Sequence, residues 1–458
     1  MAKYRVQNPA TGEITATFES ATDDQVQQYL VAADAAYRKW KDHSVQHRAA
    51  VVRRAAGLLT ERRDGLAEII STEMGKSIEA ALEEVDFTAS IFDYYGVHGP
   101  GMITSYGIPS SVPGKAVIEQ LPLGVLLGIM PWNFPYYQVA RFAAPNLVLG
   151  NTILLKHADI CPRSNLAMQE ILEEAGVPAG GYQALFTSHE QIATIIADPR
   201  VQGISLTGSE AAGAIIGAQA GAALKKCVLE LGGIDAMVVL DSDDVAGIAQ
   251  AAWENRIYNG GQVCNSNKRL IVMDDIYDEF VAELVSLAEG LKPGDQLNLQ
   301  AEEYTPLSTR AAAETVDAQV RKAVSDGGRL LAGGVLSDGP GAYYSPAVLV
   351  DVPRDSESYR EEIFGPVAIV YRVHSDEEAL ELANDCPLGL GGSVFSTDTA
   401  RAARVASQLE VGMAHVNIIA AEGADIPFGG VKRSGFGREM GPLGIGEFAN
   451  KRLFFVAE

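Results

Sequence analysis

The feature that most constrains the fold is a regular alternation of short apolar segments and helical patterns between residues 123 and 223. The segment "LGVLLGIM" is predicted to be a buried strand, and the helical pattern after it spans residues 135–149. The alternation continues with strands at 151–156, 182–186 and 201–206 and with helices at 163–175, 189–197 and 209–223. Such units with short connections predict a parallel, doubly wound α/β sheet, which binds ligands at the carboxyl ends of its strands.

The remaining sequence predicts a second α/β block and a smaller extended element. The chain has 458 residues, more than one compact core usually holds, so two large domains are expected. Residues 22–98 are mostly helical, with Thr22 as an N-cap and further helices at 46–72 and 77–96. The Gly-, Pro- and Ser-rich stretch 98–124 predicts a linker or an extended arm, and the tail "KRLFFVAE" predicts a strand. The second block has strands at 268–273, 346–350, 367–371, 391–395 and 412–417 and helices at 242–258, 275–290, 309–327, 376–384 and 398–410.

The charge of the chain excludes two classes of partner. It has 36 basic and 59 acidic residues, which give a formal net charge of −23. Such a surface repels nucleic acid and anionic membranes, so neither is expected as a partner. The polar N-terminal segment has no apolar signal-type region, and the longest apolar runs are far shorter than a bilayer span. We therefore expect a cytoplasmic protein.

The cysteines give no disulfide framework and no metal site. Their spacing matches neither pattern; they are Cys161, Cys227, Cys264 and Cys386. His43 and His47 share a helical face but have no third ligand, so a solvated helix face is the better interpretation. Cys264, within "NGGQVCNSNKR", is then either a buried space-filler or a nucleophile, and the local sequence leaves both open.

Two polar side chains follow predicted strands at positions where catalytic groups are expected. In "MPWNFPYYQVAR", two prolines stiffen the turn and hold Asn133 at a strand end, where its amide would suit an oxyanion. In "VLELGGIDA", Glu230 ends an apolar strand, where burial would raise its pKa and suit it to general-base work. An asparagine that closes a turn and a solvated strand-end carboxylate are the alternatives.

Two further segments would suit an anionic or ribose-bearing ligand. "LLKHAD" places Lys156 and Asp159 just past a strand end, and "TGSEAAG" places Ser209 as the N-cap of a helix whose amides would face an anion. A surface lysine and an ordinary capped helix explain the same residues.

Seven segments, in order along nearly the whole chain, carry a resemblance to a known family. They are "PWNFP", "LLKHA", "LTGS", "LELGG", "GQVC", "EEIFGPV" and "PFGGVKRSGFGRE". With these segments the chain resembles the NAD(P)-dependent aldehyde dehydrogenase superfamily. The resemblance implies an α/β fold with a Rossmann-like cofactor domain, an α/β catalytic domain and a small β oligomerisation arm. The implied boundaries are 1–99 and 123–232 for the NAD-binding domain, with 434–448 packing back on it, 233–433 for the catalytic domain, and 100–122 with 449–458 for the arm.

The resemblance also implies a role for individual residues. Cys264 matches the nucleophile, Glu230 the general base and Asn133 the oxyanion donor. Gly260 and Gly261 would let the backbone approach the substrate closely and leave room for the nicotinamide. The positions that match cofactor-binding residues are Trp132, Lys156, Asp159, Gly208, Ser209, Leu231, Glu362 and Phe364.

The implied reaction oxidises an aldehyde to a carboxylic acid. The thiolate attacks the aldehyde to give a thiohemiacetal, hydride loss gives a thioester, and water activated by Glu230 releases the acid. The acid at position 159 favours NAD as the cofactor in this family, with NADP as the alternative. A homodimer or homotetramer is the implied assembly.

The substrate is predicted from a smaller group within the family. "MPWNFPYYQVARFAAPNLVLGN" looks most like bacterial succinate semialdehyde dehydrogenases, in which an arginine in the place of Arg141 meets the substrate carboxylate. Tyr137 and Glu422 complete the predicted substrate site. However, Glu422 stands near a position where that group has a serine, and Arg141 alternatively pairs with a protein carboxylate. A neutral aliphatic, aromatic or amino aldehyde is therefore a second hypothesis.

Two hypotheses lie outside this class of enzyme. A cofactor-independent cysteine hydrolase would use Cys264 and Glu230 but would not need a second carboxylate such as Glu362. A non-catalytic binding protein on the same fold would have little use for Cys264, Glu230 and Asn133 together.

Overall fold

The first elements of the described chain form a small antiparallel hairpin. The structure is a computed structural model that describes residues 4–458, so the first three residues of the predicted 1–99 segment lie outside the described part. Strand β1 (Tyr4–Gln7) pairs with β2 (Ile14–Phe18). This hairpin was not predicted, because each strand is too short for an alternating pattern of apolar and polar residues to stand out.

Four helices follow: α1 (Asp23–Trp40), α2 (Val45–Glu61), α3 (Arg63–Met74) and α4 (Ile78–Met102). The predicted N-cap is confirmed, since the Thr22 side chain accepts the backbone N–H of Gln25. The single helix predicted over 46–72 is wrong, because the chain leaves helical geometry at Arg62 (φ −104°, ψ 13°) and starts again. Helix α4 also runs beyond the predicted end at residue 96.

The Gly-, Pro- and Ser-rich stretch after α4 forms an antiparallel pair, β3 (Tyr106–Ile108) with β4 (Gly114–Pro122). Of the two predicted alternatives, the structure therefore shows an extended arm.

The first large sheet contains the predicted alternation. Its elements are β5 (Val125–Met130), α5 (Tyr137–Leu149), β6 (Thr152–His157), α6 (Pro162–Ala175), β7 (Tyr182–Leu185), α7 (His189–Ala197), β8 (Val201–Thr207), α8 (Glu210–Ala222) and β9 (Lys226–Glu230). The strands are parallel in the order β9-β8-β5-β6-β7. The order reverses on either side of β5, so a crevice opens at its carboxyl end, where Asn133 follows.

The second large sheet has seven strands in the order β14-β15-β16-β11-β10-β18-β19, all parallel except β14. The elements of this region are β10 (Ala236–Val239), α9 (Val245–Ile257), β11 (Arg269–Met273), α10 (Asp274–Ala288), β12 (Lys292–Pro293), β13 (Glu303–Tyr304), α11 (Arg310–Ser325), β14 (Arg329–Ala332), β15 (Ala347–Val350), β16 (Val367–Val373), α12 (Asp376–Asn384), β17 (Leu388–Gly389), β18 (Gly391–Phe395), α13 (Thr399–Ala406) and β19 (Met413–Val416). Apolar side chains pack on both faces of each large sheet, as parallel sheets require.

The last residues return to earlier parts of the chain through β20 (Val431–Lys432), β21 (Gly435–Phe436), α14 (Gly441–Gly444) and β22 (Ala449–Ala457). Strand β21 pairs antiparallel with β9, with Gly435 opposite Glu230. Strand β22 is the predicted tail strand and pairs with β4 over nine residues. Among residues 4–458, no helix has the length and apolar character needed to cross a bilayer.

Candidate active site

Cys264 lies in a tight connection between α9 and β11. A short 3-10 turn, Tyr258–Gly261, precedes it, and Gly260 and Gly261 both have positive φ. A side chain at Gly261 would collide with the carbonyl group of Gly365, and one at Gly260 would press on Leu307. The prediction that these glycines make room for substrate and nicotinamide is therefore wrong, because their free faces are covered by protein.

Two buried cations that the sequence analysis missed hold this connection in place. Lys268 Nζ donates to the carbonyl oxygens of Val263 (2.6 Å) and Cys264 (2.8 Å) and pairs with Glu362 (3.1 Å). Arg256 donates to the carbonyl of Gly261 and to three carbonyls of the segment 363–367. Each cation thus ties the Cys264 turn to the segment that carries Glu362. The position of Lys268 directly before a buried strand was the available signal.

The same environment controls the charge of the thiol. Burial raises the pKa of Cys264 to about 11, while the cations Arg141 and Lys268 oppose the rise and the carboxyl groups of Asp235 and Glu362 add to it. In this structure the sulfur is a protonated thiol at neutral pH.

Asn133 is brought next to the Cys264 turn. Its Nδ2 donates to the carbonyl oxygen of Gln262 at 3.0 Å, and its Oδ1 accepts from Gln138 Nε2 at 3.4 Å. Asn259 donates in turn to the backbone carbonyl of Asn133 at 3.0 Å. The predicted oxyanion donor is therefore buried, and it is hydrogen-bonded to a residue that precedes the predicted nucleophile by two positions.

A buried ion pair supports the loop that carries Asn133. Glu84 Oε1 accepts the backbone N–H groups of Tyr136 (2.8 Å) and Tyr137 (3.2 Å), and its Oε2 pairs with Lys76 at 2.5 Å. Lys76 Nζ also lies 3.7 Å from the centre of the Phe134 ring. A carboxylate at the first amides of α5 satisfies donors that a helix start leaves open.

Glu230 ends β9 but does not line the cavity beside Cys264. Among the described residues, neither of its carboxyl oxygens has a hydrogen-bond partner. Burial holds its pKa well above the usual range, the Glu439 carboxyl adds to this, and the Arg141 guanidinium opposes it. This environment therefore favours the protonated carboxyl over the carboxylate.

Arg141 is buried on α5 and pairs with Glu439 at 2.5 Å. Its other nitrogens donate to the Tyr137 hydroxyl (3.3 Å) and to Thr207 Oγ1 (3.2 Å). Arg141 does not line the cavity, and its guanidinium stands 4.5 Å from the centre of the Phe428 ring, which does. The structure thus shows the alternative in which Arg141 pairs with a protein carboxylate, and its contact with substrate stays a prediction.

A cavity of about 630 Å³ opens onto Cys264. Its aromatic walls are Phe87, Phe134, Tyr137, Tyr258 and Phe428, and its acidic residues are Glu83, Glu84 and Glu422. Of the described residues that line it, none is a lysine, arginine or histidine. Glu422 does not pair with Arg141, since it accepts from Asn265 Nδ2 at 2.9 Å.

The predicted cofactor residues come from the carboxyl ends of β5, β6, β8 and β9 and from the segment between β15 and β16. Trp132 and Phe364 meet edge to face, with ring centres 5.8 Å apart. Ser209 caps α8 by accepting the Ala212 N–H, and Lys156 pairs with Asp159 at 2.8 Å. The backbone of Gly208 donates to the carbonyl of Glu230, and Leu231 packs over Gly213.

Glu362 fixes the remaining side of this crevice. Its carboxylate accepts from the Gly233 backbone at 3.3 Å and fills the space beside Gly232, where any side chain would collide with it. The capped helix start, the strand-end lysine and this carboxylate form a set of groups that fits a dinucleotide.

Residues 1–453 match the sequence model of the aldehyde dehydrogenase family. The chain belongs to the aldehyde dehydrogenase family. One relative, from Deinococcus radiodurans, is named succinate-semialdehyde dehydrogenase [NADP(+)] and is 50% identical over 447 residues, which cover 97% of this chain and 93% of the relative. Another, a succinate semialdehyde dehydrogenase [NAD(P)+] from Escherichia coli K12, is 41% identical over 97% of this chain and 96% of the relative.

Solved aldehyde dehydrogenase structures share the whole fold. The succinic semialdehyde dehydrogenase of Streptococcus pyogenes, solved with NADP+, superposes with a TM-score of 0.96 at 40% identity and covers 99% of this chain and 100% of its own. The predicted family and fold class are confirmed, and NAD(P) is the cofactor of the family. The predicted preference for NAD finds no support, because these relatives are named for, or solved with, NADP+ or NAD(P)+.

Proposed function

We propose that this aldehyde dehydrogenase oxidises succinate semialdehyde to succinate with NAD(P)+. One observation of geometry supports the reaction type: the Asn133 amide donates to the carbonyl of Gln262, so an amide donor lies beside the turn whose Cys264 thiol lines the cavity. The substrate rests on the named activity of the full-length relatives from Deinococcus radiodurans and Escherichia coli.

Cys264, Asn133 and Glu230 each carry out one part of the proposed reaction. Cys264 Sγ bonds to the aldehyde carbon, and the oxygen of the resulting thiohemiacetal takes a hydrogen bond from Asn133 Nδ2. NAD(P)+ bound in the cofactor crevice would supply the hydride acceptor that this oxidation needs, and Cys264 Sγ would then hold the acyl group as a thioester. Glu230, ionised and turned toward the thioester, removes a proton from water, whose oxygen displaces the sulfur. The balance is one aldehyde, one water and one NAD(P)+ consumed for one acid, one NAD(P)H and one proton.

The cofactor would be held by the crevice described above, with Trp132, Lys156, Gly208, Ser209 and Leu231 on one side and Glu362 and Phe364 on the other. Asp159 pairs with Lys156, so part of its charge is neutralised and its repulsion of a 2′-phosphate is weakened. We propose that NADP+ is used at least as well as NAD+.

One assay tests both proposals. Purified protein with succinate semialdehyde and either NADP+ or NAD+ should increase absorbance in the reduced-nicotinamide band, and Cys264→Ala should abolish the increase. A kcat/KM at least as high with NADP+ as with NAD+ is expected. No turnover of any aldehyde would refute the reaction, and a clear excess for NAD+ would refute only the cofactor proposal.

Arg141 is proposed to attract the substrate carboxylate from behind Tyr137 and Phe428. Replacing Arg141 alone would leave the buried Glu439 carboxylate without its ion-pair partner. The test is therefore the double variant Arg141→Met with Glu439→Gln. We expect about a tenfold or larger rise in KM for succinate semialdehyde, relative to butanal, from loss of a charged interaction. An unchanged KM ratio would remove Arg141 from substrate binding.

We propose that the domains divide as the family resemblance implies. Residues 1–99, 123–232 and 434–448 would form the cofactor domain, 233–433 the catalytic domain, and 100–122 with 449–458 the oligomerisation arm of a homodimer or homotetramer. The pairing of β21 with β9 and of β22 with β4 supports these boundaries.

We also propose a cytoplasmic location, which the four unpaired cysteines among the described residues support.

A further inference from the structure

The charged side chains of the Cys264 cavity, Glu83, Glu84 and Glu422, are all hydrogen-bond acceptors. The hydroxyl of Tyr258 already donates to Glu83 at 3.1 Å, the hydroxyl of Tyr137 to Met440, and the Asn265 amide to Glu422. These donors are occupied by protein acceptors, whereas two acceptors of the lining, Gln138 Oε1 and Asn255 Oδ1, have no donor among the described residues.

Gln138 is the clearest example of a buried acceptor without a donor. The carbonyl of Gln262 can only accept, so Asn133 must present its NH2 group to it and its Oδ1 to Gln138. Gln138 therefore presents its NH2 to Asn133, and its Oε1 is left over. This oxygen belongs to a 1% exposed residue that lines the cavity, and no donor among the described residues reaches it. A buried acceptor without a donor costs free energy that a ligand donor would recover.

The cavity lining also carries negative charge, which favours a ligand with a positive charge. Glu83 and Glu422 are exposed residues of the cavity lining, so they stand where it meets solvent, while Glu84 is neutralised by Lys76. Glu422 also lies close to the nucleophile: Cys264 Sγ is 3.9 Å from Asn265 Oδ1, and the amide nitrogen of the same group is 2.9 Å from the Glu422 carboxylate. One amide group thus separates the thiol from a negative charge.

We infer that this cavity also takes short aldehydes that carry a protonated amino group, a substrate class opposite in charge to succinate semialdehyde. An ammonium has three donors and no acceptor, which matches the Glu422 carboxylate and the Gln138 oxygen. The lining also contains the aromatic rings of Tyr258 and Phe87, and aromatic rings attract cations. The inference rests on the proposed function, since the aldehyde end reacts at Cys264 with the same balance and yields an amino acid.

The test compares two aldehydes with the same number of heavy atoms, 3-aminopropanal and butanal, with succinate semialdehyde as a third substrate. At pH 7.5 the amine is protonated. We expect kcat/KM for 3-aminopropanal to exceed that for butanal by roughly tenfold, the usual worth of a hydrogen bond to a charged group. The preference should fall as salt is raised, because the acids are exposed.

Two variants locate the effect. Glu422→Gln should lower the ratio of 3-aminopropanal to butanal by about tenfold, and Glu83→Gln, a second acid of the lining, should lower it by a smaller factor. Glu289→Gln, on an exposed glutamate after α10, is the control and should leave the ratio unchanged.

The outcomes are distinct. Oxidation of succinate semialdehyde and butanal without a preference for 3-aminopropanal would overturn this inference and leave the proposed function intact. A preference that survives both Glu422→Gln and Glu83→Gln would overturn the assignment as well. Absence of any aldehyde turnover would overturn both the inference and the proposed function.

Discussion

At the residue scale, the thiol of Cys264 is held between opposite charges. Lys268 and Arg141 favour its ionised form, while burial and the carboxyl groups of Asp235 and Glu362 oppose it. Lys268 also touches Glu362, which the family resemblance places at the nicotinamide ribose. Whatever binds Glu362 therefore changes the charge beside the nucleophile.

Replacing Lys268 should make the thiol harder to ionise. Lys268→Met removes a cation that lowers the pKa of Cys264, so the thiolate fraction at a given pH falls, and one pKa unit corresponds to about a tenfold slower reaction. The rate of alkylation of Cys264 by iodoacetamide is measured from pH 7 to 10. Its pH profile should shift to higher pH by the increase in the pKa of Cys264. Lys268→Arg keeps the charge and should restore most of the rate; an equal loss in both variants would indicate a purely steric role.

The high pKa of Glu230 predicts a pH-dependent release of product. A general base works only when ionised, so kcat should rise with pH through the raised pKa and be lost below it. Glu230→Gln should reduce steady-state turnover on the order of 10²- to 10⁴-fold and abolish this rising limb. A first turnover that still releases one equivalent of NAD(P)H would place the defect after hydride transfer. A retained rising limb would assign the pH dependence to another group.

The catalytic candidates were predictable because their motifs are local, whereas their supports were not. Cys264, Asn133 and Glu230 each lie within a recognisable short segment. The partners of Arg141, Glu84 and Lys268 are set by contacts between distant segments, and a single sequence does not reveal which carboxylate meets which cation.

At the element scale, the start of α5 depends on Glu84 and Lys76 from the helical region before it. Both side chains are fully buried, so removing either charge leaves the other without a partner. The two residues thereby fix the loop that carries Asn133.

We expect Lys76→Met and Glu84→Gln each to lower the free energy of unfolding by about 3–5 kcal/mol, because each leaves a buried group unpaired. The double variant should cost clearly less than the two single costs added together. Urea unfolding of the three variants gives the coupling. Strict additivity would show that the pair contributes no interaction energy.

Most elements of the two parallel sheets were predictable because each apolar run of four to seven residues is bounded by turns. The elements that were predicted wrongly or not at all differ from these for physical reasons. The break at Arg62 falls inside a continuous amphipathic pattern. Strand β14 is a short edge strand with mostly exposed residues, and β17 has only two residues and pairs with β20, outside both large sheets.

At the scale of the whole molecule, β22 is a nine-residue edge strand with apolar residues open to solvent. Leu453, Phe454 and Val456 are 56%, 49% and 50% exposed, on a sheet that contains only β22, β4 and β3. An exposed edge of this length is a template for pairing with another chain.

The protein should therefore have a mass in solution of twice or four times 48.7 kDa. Phe454→Glu places a charge on the exposed sheet and should shift the protein toward the monomer, as measured by light scattering after gel filtration. Lys451→Glu, an exposed position of the same strand, is the matched control. A wild-type monomer would refute the proposed assembly.

The pairing of β21 with β9 has a consequence for synthesis. Strand β21 lies against Glu230, and Glu439 pairs with Arg141, so part of the wall around the general base comes from residues translated well after Cys264. While residues 434–439 are still inside the ribosome, Cys264 has already emerged, but Glu230 lacks its neighbouring strand and Arg141 lacks its carboxylate. The nascent chain therefore carries its nucleophile before the surroundings of Glu230 and Arg141 are complete.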